Sequence, residues 1–145
     1  MKKLSVKVSE MREMKEEIKR KILIVDDEPD IITSIEIGLT RLSTKYITKG
    51  VNGGRECIEF LEKGKTPDLI ILDIMMPDLN GWELLDILKT DRRWESIPVI
   101  FLTALNDKKT MEKGLATNSY CVKKPFNIKE LKDTIDKILE GDMLF

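Results

Sequence analysis

The sequence predicts an α/β protein, a doubly wound, five-stranded parallel sheet with five helices. Three observations lead there. Segments 22–26 (ILIVD), 69–73 (LIILD) and 97–102 (IPVIFL) are short apolar runs without alternation, as in central strands covered on both faces. Amphipathic helical patterns separate the runs. Two of the three runs end on carboxylates, and functional groups of open parallel sheets gather at the carboxyl ends of strands.

Each element follows in order. Residues 1–20 stand apart as an extension, and 21–141 carry the domain. Leu4, Val6 and Val8 alternate, and 9–20 (SEMREMKEEIKR) looks helical, with Met11, Met14 and Ile18 on one face. A solvated extension is better supported than a docking or dimer-forming helix, because the stripe is short and an isolated helix of this length is marginal. After the strand at 22–26, Ile31, Ile35, Leu39 and Leu42 mark a helix over 30–42. Segment 45–49 (KYITK) alternates charge and bulk as an edge strand does. Cys57, Ile58 and Leu61 mark a helix over 54–63. The third strand, 69–73, precedes a helix over 81–90 carrying Leu84, Leu85 and Leu88. Beyond 97–102, the helix expected at 106–116 is weak, with only Met111 and Leu115 on a face and Gly114 inside. Segment 119–122 (SYCV) is a short fifth strand. A strong stripe (Ile128, Leu131, Ile135, Ile138, Leu139) closes the domain over 127–140, with Asn127 as N-cap.

Composition narrows the function classes. With 145 residues the chain supports one domain and a short appendage. Lys and Arg number 25 against 26 Asp and Glu, which leaves no basic footprint for nucleic acid. No apolar run approaches the roughly 18–20 residues that span a bilayer, so no membrane partner is expected. MKKLSVKVSE lacks the apolar core of a secretory signal, and Cys57 and Cys121 form no CxxC, so a cytoplasmic protein with reduced thiols is expected. Histidine is absent, which leaves carboxylates, lysines and hydroxyls for any chemistry.

Those groups converge. The strand ends bring Asp26 and Asp27, Asp73, Thr103, and Lys123 with Lys124 to one rim. Three carboxylates a few ångströms apart repel, so either some are protonated or a cation sits among them. Oxygen donors without His or Cys favour a hard ion, Mg²⁺ before Ca²⁺ or Mn²⁺. Duller readings compete: Asp27 could be a plain N-cap before Pro29, although one acid suffices for a cap. Trp82 and Trp94 read as packing residues. Gly53-Gly54 lacks GxGxxG spacing, which argues against a dinucleotide site.

Taken together, ILIVDDEPD, LIILDIMMPDLNG, IPVIFLTA and KKPF resemble the receiver domain of two-component response regulators, CheY-like and flavodoxin-like in fold, over about residues 21–140. The resemblance implies a strand order of 2-1-3-4-5 and roles for individual residues. Asp73 would be the phospho-acceptor. Asp26, Asp27, Asp73 and the Met75 backbone carbonyl would hold Mg²⁺, and Thr103 and Lys124 would contact the phosphoryl oxygens. Adjacency to Pro125 favours Lys124 over Lys123 as the phosphate-binding amine, across a peptide that proline allows to be cis. Family members usually carry an aromatic residue three positions before the lysine. Here Tyr120 is four before Lys124 and Cys121 three, so either could be the switch residue.

The function expected is a signalling switch that takes a phosphoryl group from a sensor histidine kinase or phosphotransfer protein. It would change its affinity for a downstream effector, an output domain or a second copy through the 106–140 face. It would not be an enzyme beyond its own phosphorylation and dephosphorylation. Met75 and Leu105, two residues past Asp73 and Thr103, are apolar and cannot orient a water, so slow self-dephosphorylation is expected. Two alternatives rank below. A Mg²⁺-dependent phosphohydrolase with an aspartate nucleophile would usually carry a second acid where Met75 stands. An unphosphorylated interaction module would be expected to have lost one of Asp27, Asp73 or the lysine.

Overall fold

The computed structural model describes residues 7–12, 19–104, 112 and 119–141. From residue 20 on, the described elements are, in order, β1 (Arg20–Val25), α1 (Pro29–Leu42), β2 (Tyr46–Val51), α2 (Gly54–Glu62), β3 (Leu69–Asp73), α3 (Gly81–Thr90), β4 (Val99–Thr103), β5 (Tyr120–Lys123) and α4 (Ile128–Glu140). Among the described residues all strand pairings are parallel, and the order is β2-β1-β3-β4-β5. The sheet and its order match the expectation, with the KYITK segment on the edge. Four of the five expected helices are present. The fifth, 106–116, lies outside the described residues except Glu112, as does Leu105. Residues 8–12 of the extension are helical and exposed.

The two-residue alternation of a strand sorts the apolar runs onto two faces. Leu23, Val25, Ile70, Leu72, Val99 and Phe101 face α2 and α3, where Cys57, Leu61, Leu84, Leu85 and Leu88 meet them. Ile22, Ile24, Leu69, Ile71, Ile100 and Leu102 face α1 and α4, against Ile35, Leu39, Leu131 and Ile135. Covering both faces is why these runs need no polar alternate positions. Trp94 is buried and Trp82 packs on Phe101 with ring centroids 4.8 Å apart, as packing residues should.

One helix face differs from expectation. In α1 the buried residues are Ile32, Ile35 and Leu39, while Leu42 is 44% exposed. The face turns toward Ile32 because Gly50 on β2 leaves the space that Ile32 fills: a Cβ at Gly50 would lie 2.3 Å from Ile32 Cγ2. Close packing of α1 on α4 has a similar origin, since a Cβ at Gly38 would lie 2.3 Å from Ile128 Cγ1.

Candidate functional site

Strand register builds the site. Val25 is paired with Leu72, so the next residues on each strand, Asp26 and Asp73, emerge side by side. Both continue the alternation of Ile22–Ile24 and Leu69–Ile71, and so share one face of the sheet. On β5, Val122 also belongs to that face and Cys121 to the other, which sends Lys124 rather than Lys123 toward the acids. The Lys124 ammonium lies 3.4 Å from Asp26 Oδ2 and 3.4 Å from Asp73 Oδ1. Lys123 is exposed. The Lys124–Pro125 peptide is cis, and the Lys124 N–H donates to the Thr103 carbonyl at 2.8 Å.

Asp26, Asp27 and Asp73 each offer a carboxylate oxygen within 4.8 Å of the others. Asp26 is fully buried and Asp73 is 4% exposed, while Asp27 stands at the more open mouth. Asp26 Oδ1 accepts the Glu28 N–H at 2.9 Å, which fixes the turn into α1. The N-cap of α1 is Glu28, with no side-chain cap bond and Pro29 following, so Asp27 does not serve as the cap. Asp73 Oδ1 accepts a long bond from the Met75 N–H, 3.4 Å, and the Met75 side chain is 63% exposed beside it. Thr103 is buried at the end of β4, one residue beyond the Asp73–Leu102 register pair. Tyr120 is 46% exposed, whereas Cys121 is partly buried against the α2–α3 core.

Electrostatics mark these acids as strained for charge. Burial, followed by repulsion from Asp26, pushes the Asp73 carboxyl up to about 6 against the pull of Lys124. Burial likewise raises Asp26, despite the Glu28 N–H and Lys124. Burial works against the Lys124 ammonium as well, but Asp26 and Asp73 outweigh it and hold its pKa above the ordinary lysine value. Among the described residues one ammonium faces these three carboxylates, which leaves the cluster short of positive charge. The all-oxygen donor set fits a hard divalent cation.

The loop after Asp73 is tightly held at two points. A Cβ at Gly81 would lie 2.7 Å from Ile74 Cα and 2.8 Å from the Asp73 carbonyl oxygen, so the start of α3 packs directly on the Asp73 backbone. The Gly81 N–H donates to the Ile74 carbonyl at 2.8 Å. Asp78 accepts N–H bonds from Gly54 and Arg55 at the start of α2, which ties the loop to that helix. Gly53 and Gly54 make room for this: a Cβ on either would come within 2.8 Å of Asp78 or Leu79 side-chain atoms. Sequence reasoning missed this tie, whose signal was the unexplained glycine pair. Beside Lys124, an open cleft of about 730 Å³ is lined by Ile31, Ser34, Ala104, Pro125, Phe126 and Ile128.

Comparison with known proteins agrees with this geometry. Residues 22–136 match the family model described as the response regulator receiver domain. A probable transcriptional regulator, ycf27, of Guillardia theta is 37% identical over 125 residues, 85% of this chain and 46% of that protein. The receiver domain of a signal transduction histidine kinase from Syntrophus aciditrophicus superposes with a TM-score of 0.75 at 32% identity, covering 87% of this chain and 94% of that one. Chemotaxis protein CheY4 of Vibrio cholerae gives a TM-score of 0.75 at 26% identity, covering 83% and 99%. The chain spans about half or less of the length of the curated relatives it matches, 26% to 48% for the first three.

Proposed function

This chain belongs to the response regulator receiver family of two-component signalling, and from that premise we propose that Asp73 is its phospho-acceptor. The donor is a sensor histidine kinase or a phosphotransfer protein. An Asp73 carboxylate oxygen attacks the phosphorus of a phosphohistidine in line; a P–O bond forms, the P–N bond breaks, and the imidazole leaves with a proton. The product is an acyl phosphate on Asp73. Asp26, Asp27, Asp73 and the Met75 carbonyl would hold Mg²⁺, and the ion would supply positive charge to offset that of the transferring group.

The chain's own groups supply orientation. The Glu28 N–H fixes Asp26, and the Gly81 contact fixes the Asp73 backbone. Lys124, already drawn to the acids, pairs with a phosphoryl oxygen as a point charge. Thr103 donates its hydroxyl to another. The modified site then biases the 106–140 face between two packings, which alters affinity for an effector, an output domain or a second copy. Apolar, exposed Met75 offers no group to orient a hydrolytic water, which favours a long-lived phosphoryl adduct over continuous phosphohydrolysis.

The observation that carries this reading is the convergence of Asp26, Asp27, Asp73 and Lys124 at the carboxyl ends of β1, β3 and β5. The test is incubation with Mg²⁺ and acetyl phosphate, followed by intact mass. A stoichiometric phosphoryl adduct that Asp73→Asn abolishes supports the switch. Steady phosphate release without an adduct overturns it in favour of a hydrolase, and no reaction at all supports the unphosphorylated module.

A further inference from the structure

At the amino ends of the strands, opposite the acids, lies a second feature. Lys21 and Leu23 on β1 and Ile47 and Lys49 on β2 share the sheet face that α2 covers, since Lys21 pairs with Ile47 and Leu23 with Lys49. But α2 ends at Glu62, and a cleft is left between its last turn, the segment after it and these strands. Gly64 then turns the chain back in the left-handed region (φ 85°), where a side chain would be strained, and 64–67 forms a far wall. The result is a half-open cavity of about 550 Å³ with Ile47, Phe60 and Pro67 as apolar surfaces and Lys21, Lys49 and Lys65 among its lining.

The charge there is unbalanced. Among the described residues none of these three lysines forms an ion pair. Neighbouring acids are committed elsewhere: Glu62 to Arg93, and Asp68 to Arg20 and the Lys21 N–H. The volume falls within the range of about 300–1,000 Å³ typical of small-molecule sites.

We propose that this cavity binds a small amphiphilic anion, a carboxylate or similar head carried on a flat apolar body. The body lies against Ile47 and Phe60, and the head is met by Lys49 and Lys65. Both halves are required: exposed lysines alone hold an anion weakly in water, and an open apolar surface alone has no preference for charge.

The test is amide-resonance mapping of the whole chain with three probes, 2-naphthoate, its neutral isostere 2-naphthamide, and acetate. Naphthoate is expected to saturate shifts confined to 21–23, 47–49 and 60–67, with naphthamide and acetate both markedly weaker. Lys49→Gln with Lys65→Gln should weaken naphthoate by about fivefold. Phe60→Leu, milder than a truncation, should weaken it while leaving the acetate response unchanged. Equal binding of naphthamide, unchanged affinity in the double variant, or shifts centred elsewhere would each overturn the proposal. So would an acidic peptide that binds the same residues more tightly than naphthoate, because the site would then be a protein-docking surface.

Discussion

Replacing Asp73 with Asn should stabilise the protein in the absence of metal, although Asp73 is the proposed reactive residue. The wild-type carboxyl is 4% exposed and titrates at about 6, against 3.8 for an unperturbed aspartate. Ionising it in the folded state therefore costs about 3 kcal/mol more than in the unfolded chain. The sign follows from the raised folded-state value. Stability from this group is fully present below pH 3.8, falls as pH rises through about 6, and is flat above pH 7. Asn keeps the shape and removes the charge. Its advantage should be small at pH 4 and reach about 2–3 kcal/mol at pH 8, with some lost because Lys124 gives up one partner. For a chain of this size that is roughly 5–10 °C in Tm. Thermal or urea unfolding of both proteins from pH 4 to 8, without divalent ions, measures it. Millimolar Mg²⁺ should narrow the gap by binding the wild-type acids. A variant less stable than wild type at pH 8, or an advantage independent of pH, would refute the reasoning that Asp73 is held in an uncompensated charged state.

Three further outcomes follow from the same geometry. Lys124→Met removes the ammonium 3.4 Å from both Asp26 and Asp73, and should cost about 1–3 kcal/mol at pH 8 and much less at pH 4, as read by urea unfolding. Gly81→Ala drives a Cβ into the Ile74 and Asp73 backbone; a loss of about 1–3 kcal/mol and slower adduct formation with acetyl phosphate are expected, and an unchanged rate would show that the loop can shift without cost. Substituting Asn for both Met75 and Leu105 should shorten the life of the adduct by about tenfold once the donor is removed, less than a fully positioned general base contributes, because a polar side chain can orient water where methionine cannot.

The legible parts of the sequence were those governed by local pattern. Continuous apolar runs announced central strands, and the Leu84, Leu85 and Leu88 stripe and the Asn127 cap stand where pattern placed them. Features that depend on contact between distant segments were not legible. Ile32 rather than Leu42 completes the buried face of α1 because a glycine 18 positions later leaves room for it, and no helical period encodes that. Gly53-Gly54 was seen only as an absent nucleotide motif. Its role, to admit Asp78 at the start of α2, exists only once the loop after β3 folds across. The choice between Lys123 and Lys124 was argued from Pro125. Alternation supplies the physical reason, since Val122 lies on the face of Asp26 and Asp73 and Cys121 does not.

That alternation also explains why a metal of a particular charge suits the proposed site. The strand parity that buries Ile24 and Ile71 delivers Asp26 and Asp73 into the same low-dielectric corner, where neither can escape to water. Asp27 adds a third carboxylate at the mouth, and Lys124 returns one positive charge. Among the described residues, two negative charges remain when all are ionised. A monovalent cation would leave one unbalanced, and with too few ligand contacts to offset the loss of hydration. A divalent ion brings the cluster to neutrality, and oxygen-only donors select a hard one. A divalent ion held there would offset the burial and the Asp26 repulsion that keep the Asp73 proton on up to about pH 6, and so would favour the carboxylate that the proposed attack requires. Metal binding and ionisation of Asp73 would then be one electrostatic event, and titrating the Mg²⁺ affinity against pH should show proton release on binding between pH 4 and 6.5 and almost none at pH 8.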